Sequence, residues 1–430
     1  MVENLNHSSV EIRLESLREL VKLVEAGKIP RPERGNDVNN HIHTIYSFSP
    51  YSPAKATWMA YNAGLRTAGI MDHDSISGAL EFIEAGKILG IATTIGVECR
   101  ADFSATPLNG RKINNPDQDS VAYVALHGIP HQKIEDVRGF FYPYARERNK
   151  RNYLMVSRLN SLLEPYSIHI DYEKDVVPLS KREEGGSVTE RHILFALARA
   201  LVEKYKRGKS LVDFLKEEMG ISIKPRIEQY LLDASNEYYE YDLLGVLKSD
   251  LLEKFYADAA RECPGIRELI DFSNSIGAIS AYAYLGDVTD SVTGDKKAQK
   301  FEDDYIELLF EVLKELGFNA VTYMPSRNTI TQLKRVKDLC CRHGFFQISG
   351  EDINSPRQSF ICIAMRDREF ENLFDSTWAL VGHEIAATED IRRGMFSRET
   401  IGRYPVLNER IRIYKEIGLS SAGLARAGNI

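Results

Sequence analysis

The run NNHIHTIYSFSP at residues 39–50 sets His41 and His43 two apart in otherwise extended chain. Alternate residues of a strand leave the same face, so the two imidazoles emerge side by side. Acidic residues follow at comparable places: Asp72, next to His73, in MDHD, Glu98 in GVEC and Asp352 in SGEDIN. Two imidazoles with two carboxylates suit Zn²⁺, Mn²⁺ or Fe²⁺, and the imidazoles disfavour Ca²⁺ and Mg²⁺. Each signal alone is weak. An HxH pair is more often structural than ligating, and a lone acid at a strand end is more often a helix cap. Their weight comes from the elements that carry them.

Those elements alternate. After an amphipathic N-terminal helix and the linker KIPRPERGND, strand-like segments bearing His41 and His43, TAGIMDH and IATTIGVEC alternate with the helix-like PAKATWMAYNAG, closed by Gly64, and SGALEFIEAGKILG. Such alternation argues for a parallel sheet or barrel. In an α/β barrel, ligands sit at the carboxyl ends of successive strands, where the loops converge on one mouth. The four candidate groups fall there. From about 130 to 264 the pattern is nearly all helical, and RHILFALARALVEKY opens with Ser187 and Glu190 spaced as a capping box. Alternation returns in IGAISAYAY, DYIELLFEVLKELG, NAVTYM, TQLKRVKDLCCRHG and FFQISGED. The expected organisation is an N-terminal helical extension (1–35), a barrel in two parts (36–129 and 265–370), a helical domain inserted between them (130–264), and a C-terminal extension (371–430) whose role stays open.

The composition narrows the partners. A net charge of −7, with acids spread along all 430 residues, does not favour stable nucleic-acid binding. The densest basic run, RERNKR at 146–151, reads as a solvated helix face. Five cysteines with no CxxC pair make no disulfide framework and point to free thiols in a reduced compartment. With no signal-peptide core and no membrane-length apolar run, the expected location is cytoplasmic and no membrane partner is expected.

HIHT with Ser47 and Pro50 behind it, GIMDHDSISGALEF and GVE resemble the first motifs of the PHP (polymerase and histidinol phosphatase) superfamily. The likeness is close over 38–100 and looser over 277–355, and RHILFALARALVEK resembles a helix of the inserted domain in the stand-alone PHP phosphoesterases. The resemblance implies a distorted (β/α)7 barrel with up to three metal ions and phosphoester hydrolysis. It also implies that one ion takes His41, His43, Glu98 and Asp352. This sequence departs from the family pattern where Phe48 follows Ser47, where Tyr282 and Ala283 replace a late His-Pro, and where Asn354 replaces a histidine after Asp352. A histidine is expected on the strand after Glu98, and His127, late on that strand, is the candidate. The reading is thus one well-formed site, a compromised second that would use His127, and no third, because the other partners of His73 are now Phe48 and Asn354.

For chemistry, His73, with Asp72 or Asp74 near it, is the candidate acid or base or simply a hydrogen-bonding group within the site, and Tyr282 could hydrogen-bond a substrate oxygen. Arginine's bidentate fork suits a phosphorylated substrate. Arg191, beside His192 in the inserted domain, is the leading anion-binding candidate, although a surface arginine in a first helical turn is an equal reading; Arg327 and Arg357 follow late strands. Three functions compete: a hydrolase of a small phosphorylated metabolite or nucleotide using a divalent transition metal, a hydrolase of another bond, and a PHP-fold protein that has lost catalysis and binds a metal or ligand.

Overall fold

In the computed structural model, which describes residues 1–288 and 300–422, the alternation becomes one seven-stranded sheet in chain order. Its strands are β1 (Val38–Ile42), β2 (Thr67–His73), β3 (Ala92–Asp102), β4 (Val121–His127), β5 (Ile279–Ala283), β6 (Ala320–Tyr323) and β7 (Phe346–Ser349). Neighbours are parallel except at β4, which runs antiparallel to both β3 and β5. The segment after β7 closes the curled sheet on β1. His43 N–H donates to the Ile353 carbonyl (2.9 Å), and Ile353 N–H donates to the His41 carbonyl (3.1 Å). The side-chain amides of Asn39 and Asn40 reach across to the Glu351 and Ser349 carbonyls. Gly350 permits this seam, because a Cβ there would stand 2.7 Å from the His41 Cβ and 2.8 Å from its nitrogen.

Helix α1 (Val10–Glu25), capped by Ser9, docks on the barrel through buried Arg13, whose fork meets Glu81 at 2.8 and 2.5 Å. Ser52 caps α2 (Pro53–Asn62), with Pro53 in its first turn, and Gly64 takes φ +83 just beyond its end. Glu81 lies on α3 (Ala79–Leu89). Between β4 and β5 stand α4 (Ile134–Leu163), α5 (Glu190–Tyr205), α6 (Lys209–Asp213), α7 (Pro225–Leu232), α8 (Tyr239–Phe255) and α9 (Ile266–Ile276). Of these, α4 to α8 bury an apolar cluster of their own, which also takes in Phe48 from the loop after β1. The second half of the barrel adds α10 (Ile306–Leu316) and α11 (Ile330–His343). The fold is a PHP-type distorted (β/α)7 barrel with an inserted helical unit.

The C-terminal extension has a definite place. Helices α12 (Glu371–Glu389), α13 (Arg398–Arg403) and α14 (Leu407–Ser421) close the end of the barrel opposite the mouth. Leu380 and Ala379 join Met71, Ala125, Ile279, Ala281, Ala320, Phe346 and Ile348 in one interior cluster. Glu384 accepts the Ile95 N–H at 2.8 Å. α12 and α14 cross almost backbone to backbone, since a Cβ on Gly382 would lie 1.9 Å from the Tyr414 carbonyl oxygen.

Two local expectations are corrected. The box that opens α5 is formed by Thr189 and His192, with Thr189 N–H donating to His192 Nδ1 at 3.0 Å. Glu190 is drawn away by Arg100 and Arg151. Nor is RERNKR a solvated face. Arg148 and Arg151 are buried and pair with Asp74, Glu190 and Glu262, while only Glu147 and Lys150 of that run form a surface pair. α4 packs where the insert meets the barrel, and guanidiniums buried there must be paired to offset desolvation. No described helix is long and apolar enough to cross a membrane.

Candidate metal centre

Strands β1, β2 and β3 present His41, His43, His73 and Glu98 at the mouth, and the β1–β7 seam delivers Asp352 to the same place. His41 Nε2 lies 3.2 Å from His43 Nε2. Glu98 Oε2 is 3.6 Å from His41 Nε2, 4.0 Å from His43 Nε2 and 3.1 Å from His73 Nδ1. Asp352 Oδ1 is 3.1 Å from His43 Nε2. Two triads of donor atoms could each hold an ion, His41/His43/Asp352 and His43/His73/Glu98, with His43 common to both. Donors about 2.0–2.2 Å from one tetrahedral ion stand roughly 3.3–3.5 Å apart, so the observed spacings fit.

The electrostatics fit as well. Burial alone would raise the Glu98 carboxyl, but the surrounding His41, His73 and His43 outweigh it and hold it below the usual range. Desolvation opposes ionisation of Asp352 too, yet His43, His41 and Arg191 hold it well down. Burial brings His73 to about 3, so it is a neutral donor at pH 7.

Asp72 lies behind this cluster. Its carboxylate accepts from Thr44 N–H, Thr44 Oγ1 and Ser47 Oγ, each at 2.6 Å, and Ser47 Oγ stands 3.1 Å from His43 Nδ1. The chain Asp72–Ser47–His43 fixes the His43 ring so that Nε2 faces the other donors. Asp72 is therefore a positioning group.

The remaining candidates divide. Arg191 comes to the mouth, close enough for its charge to lower Asp352. Asn354 donates to Asp352 Oδ1 at 2.7 Å, bracing it. His192 is buried and spent on the α5 cap, with its ring edge-on to Phe48. Arg357 is committed to Asp242 on α8 at 2.7 and 2.8 Å and lies over Tyr230, tying the seam loop to the insert. Arg327 donates to the Leu285 carbonyl. Tyr282 does not line the mouth. Ala281 and Ala283 take the inner face of β5, so Tyr282 turns outward into the layer under the helices, where it is wholly buried and donates to Glu302 at 3.0 Å. His127 belongs to neither triad. Because β4 is antiparallel, its carboxyl end lies away from the mouth, and His127 pairs with Gly96, two residues below Glu98. It still faces inward, close enough to His41 and Glu98 for their charges to act on it, and is buried with Nε2 unpartnered among the described residues.

Reversing β4 identifies a residue missed in the sequence. Glu98 pairs with Ala125 and Arg100 with Tyr123, so Tyr123 lies on the inward face of β4 one step past Glu98 toward the carboxyl end of β3, its ring 5.8 Å from that of His73. One signal was legible: the stretch between β3 and β4 has no helical pattern, and a parallel pair would need a crossover.

Barrel, closure and donor cluster define an α/β barrel whose mouth gathers a donor set that could hold divalent metal. The model of the PHP domain matches residues 39–321, and the chain belongs to that family. An error-prone DNA polymerase from Nocardia farcinica is 29% identical over 124 residues, a match covering 28% of this chain and 10% of the polymerase. Among solved structures, a candidate metal-dependent phosphoesterase from Bifidobacterium adolescentis superposes with a TM-score of 0.49 at 18% identity, covering 78% of this chain and 96% of that one. An amidohydrolase from Chromobacterium violaceum gives 0.47 at 14% identity, covering 75% and 89%.

Proposed function

We propose that the protein is a metal-dependent hydrolase acting on a small phosphorylated metabolite or nucleotide, with residues 130–264 forming a cap over the mouth. The observation that carries this reading is the convergence of three imidazoles and two carboxylates with their donor atoms turned on one another. His41, His43, Glu98 and Asp352 would hold one divalent ion, Mn²⁺, Zn²⁺ or Fe²⁺, and His73 with Glu98 the edge of a second. A bound ion of this kind polarises a phosphoryl oxygen and brings the pKa of a water toward 7 in favourable sites.

The chain's own groups do the rest. Arg191 orients the anionic end of the substrate by charge. Asp72 and Ser47 keep His43 in one orientation. His73, neutral at working pH, serves as a donor rather than as the acid or base. Phe48, buried in the insert's core, holds the cap over the mouth and keeps bulk water out.

Phe48 and Asn354 also favour a second reading, a catalytically degenerate protein that binds a metal or ligand. Metal content by plasma mass spectrometry, on wild type and a His41→Ala/His43→Ala variant, comes first. Turnover of phosphate esters against carboxylic esters and amides follows. Bound metal lost in the variant, with phosphate-ester turnover, supports the phosphoesterase. Bound metal with no turnover of any class favours the second reading, and no bound metal removes the phosphoesterase and leaves a barrel kept for binding a ligand.

A further inference from the structure

Several buried or half-buried tyrosines in this protein tie off their hydroxyls, while those of Tyr51, Tyr61, Tyr205 and Tyr241 are not tied among the described residues. Tyr282 donates to Glu302, Tyr284 to Asp303, Tyr144 to Glu268, and Tyr305 and Tyr414 to backbone carbonyls. That is the usual behaviour of a phenol removed from water. Tyr123 is another exception, and among them it is the one whose ring lies against a donor histidine. Among the described residues its hydroxyl has no hydrogen-bond partner, although its ring packs on the inner wall beside His73. Its backbone is held on both sides, because its N–H donates to Asn114 Oδ1 (2.7 Å) and its carbonyl accepts from Asn114 Nδ2 (2.8 Å). Tyr123 is part-buried, with Arg100, Glu190, Asp117 and Tyr256 near enough to act electrostatically on its phenol.

The neighbouring groups show what an open phenol there would meet. Arg100, directly across on β3, is fully engaged by Glu190, Glu262 and the Tyr256 hydroxyl. Its charge is balanced within the protein and is not on offer to a ligand. On the other side lie His73 and the donor cluster. A ligand oxygen seated beside His73 would thus find one neutral O–H donor on the β4 side and the Arg191 charge near Asp352.

We infer that Tyr123 is a substrate-contacting residue, its phenolic hydroxyl donating a hydrogen bond to a phosphoryl oxygen seated beside His73; this rests on the phosphoesterase reading. A phenol is protonated throughout neutral pH, so it stays a donor there. The isosteric Tyr123→Phe change removes the donor and keeps the ring against His73.

The test uses the full chain loaded with Mn²⁺. Inorganic phosphate is titrated in by calorimetry, and p-nitrophenyl phosphate turnover is measured alongside, for wild type and Tyr123→Phe. Manganese stoichiometry and the thermal midpoint stay unchanged in the variant, while phosphate affinity and kcat/KM fall about tenfold or more, the scale of one hydrogen bond to a charged acceptor. Unchanged phosphate affinity and kcat/KM would overturn the role of Tyr123 and leave the phosphoesterase reading intact. Loss of manganese in the variant would overturn it differently, by making the phenol a ligand. Wild-type protein that holds manganese but neither binds phosphate nor hydrolyses the ester would overturn both.

Discussion

Buried histidines stand at both ends of this barrel, and their partners differ. At the closed end, His383 has both ring nitrogens engaged by backbone: Nε2 donates to the Gly128 carbonyl at 3.1 Å and Nδ1 accepts the Met395 N–H at 2.9 Å. At the mouth, His41 and His43 turn nitrogens on each other and on two carboxylates. A histidine satisfied by backbone is part of the packing. Facing nitrogens ringed by acids leave room for a cation. Burial alone would not separate the two cases.

The largest effect follows from breaking the mouth. His41→Ala/His43→Ala, or chelation, is expected to remove the ion and cut turnover by roughly a thousandfold or more, on the several-kcal/mol scale of metal catalysis. The metal-free variant should melt no lower than metal-free wild type in a calorimetric scan. A lower midpoint would make these histidines structural, like His383.

Breaking the closed end does the reverse. Gly382→Ala sets a methyl group against the Tyr414 carbonyl and should cost about 3 kcal/mol in urea unfolding. Metal stoichiometry of the folded fraction should hold. A neutral result would show that α12 and α14 can separate without loss.

Acid sharpens the comparison. Burial lowers His383 from 6.5 to about 4. The unfolded chain takes up the proton first, so this contribution is complete above pH 6.5 and is lost as pH falls toward 4. The loss is roughly 3 kcal/mol at full extent. His383→Gln should flatten that part of the stability profile measured by denaturant titration, and an unchanged slope would assign the acid sensitivity elsewhere.

The smallest effect tests orientation. Ser47→Ala unlinks Asp72 from His43 and should weaken metal binding about 10–100-fold in a competition titration without changing the fold. Equal affinity would show that the His43 ring is held by packing alone.

Much of this was legible before any coordinates, and the failures share a cause. His41, His43 and Asp352 could be placed because strand rhythm puts them at or just past carboxyl ends, whereas Glu98, expected to end its strand, lies inside β3, which runs on to Asp102. Tyr282 was misplaced because facing is a property of the sheet, and a shift of one residue turns it outward. The one antiparallel strand sets His127 two residues below Glu98, still on the inner face, and brings Tyr123 beside His73. His192, Arg357, Arg148 and Arg151 have polar types that suit a ligand as well as a cap or an ion pair, and only their neighbours decide. The C-terminal helices carried no motif, and their use, closing one end of a barrel, appears only when there is a barrel to close.

The seam between β1 and the segment after β7 has a consequence in time. His41 and Asp352 stand more than three hundred positions apart, yet the backbone bonds of His41 and His43 to Ile353 bring them together. At roughly 5–20 residues per second of synthesis, about 15–60 s separate the appearance of the two ligands. Through that interval a nascent chain could offer an ion only part of its site, and an ion would be gripped when the segment after the last strand arrives. The cation would then act as a clasp, fastening the barrel at the step that completes it and recovering part of the entropy of closing so long a loop.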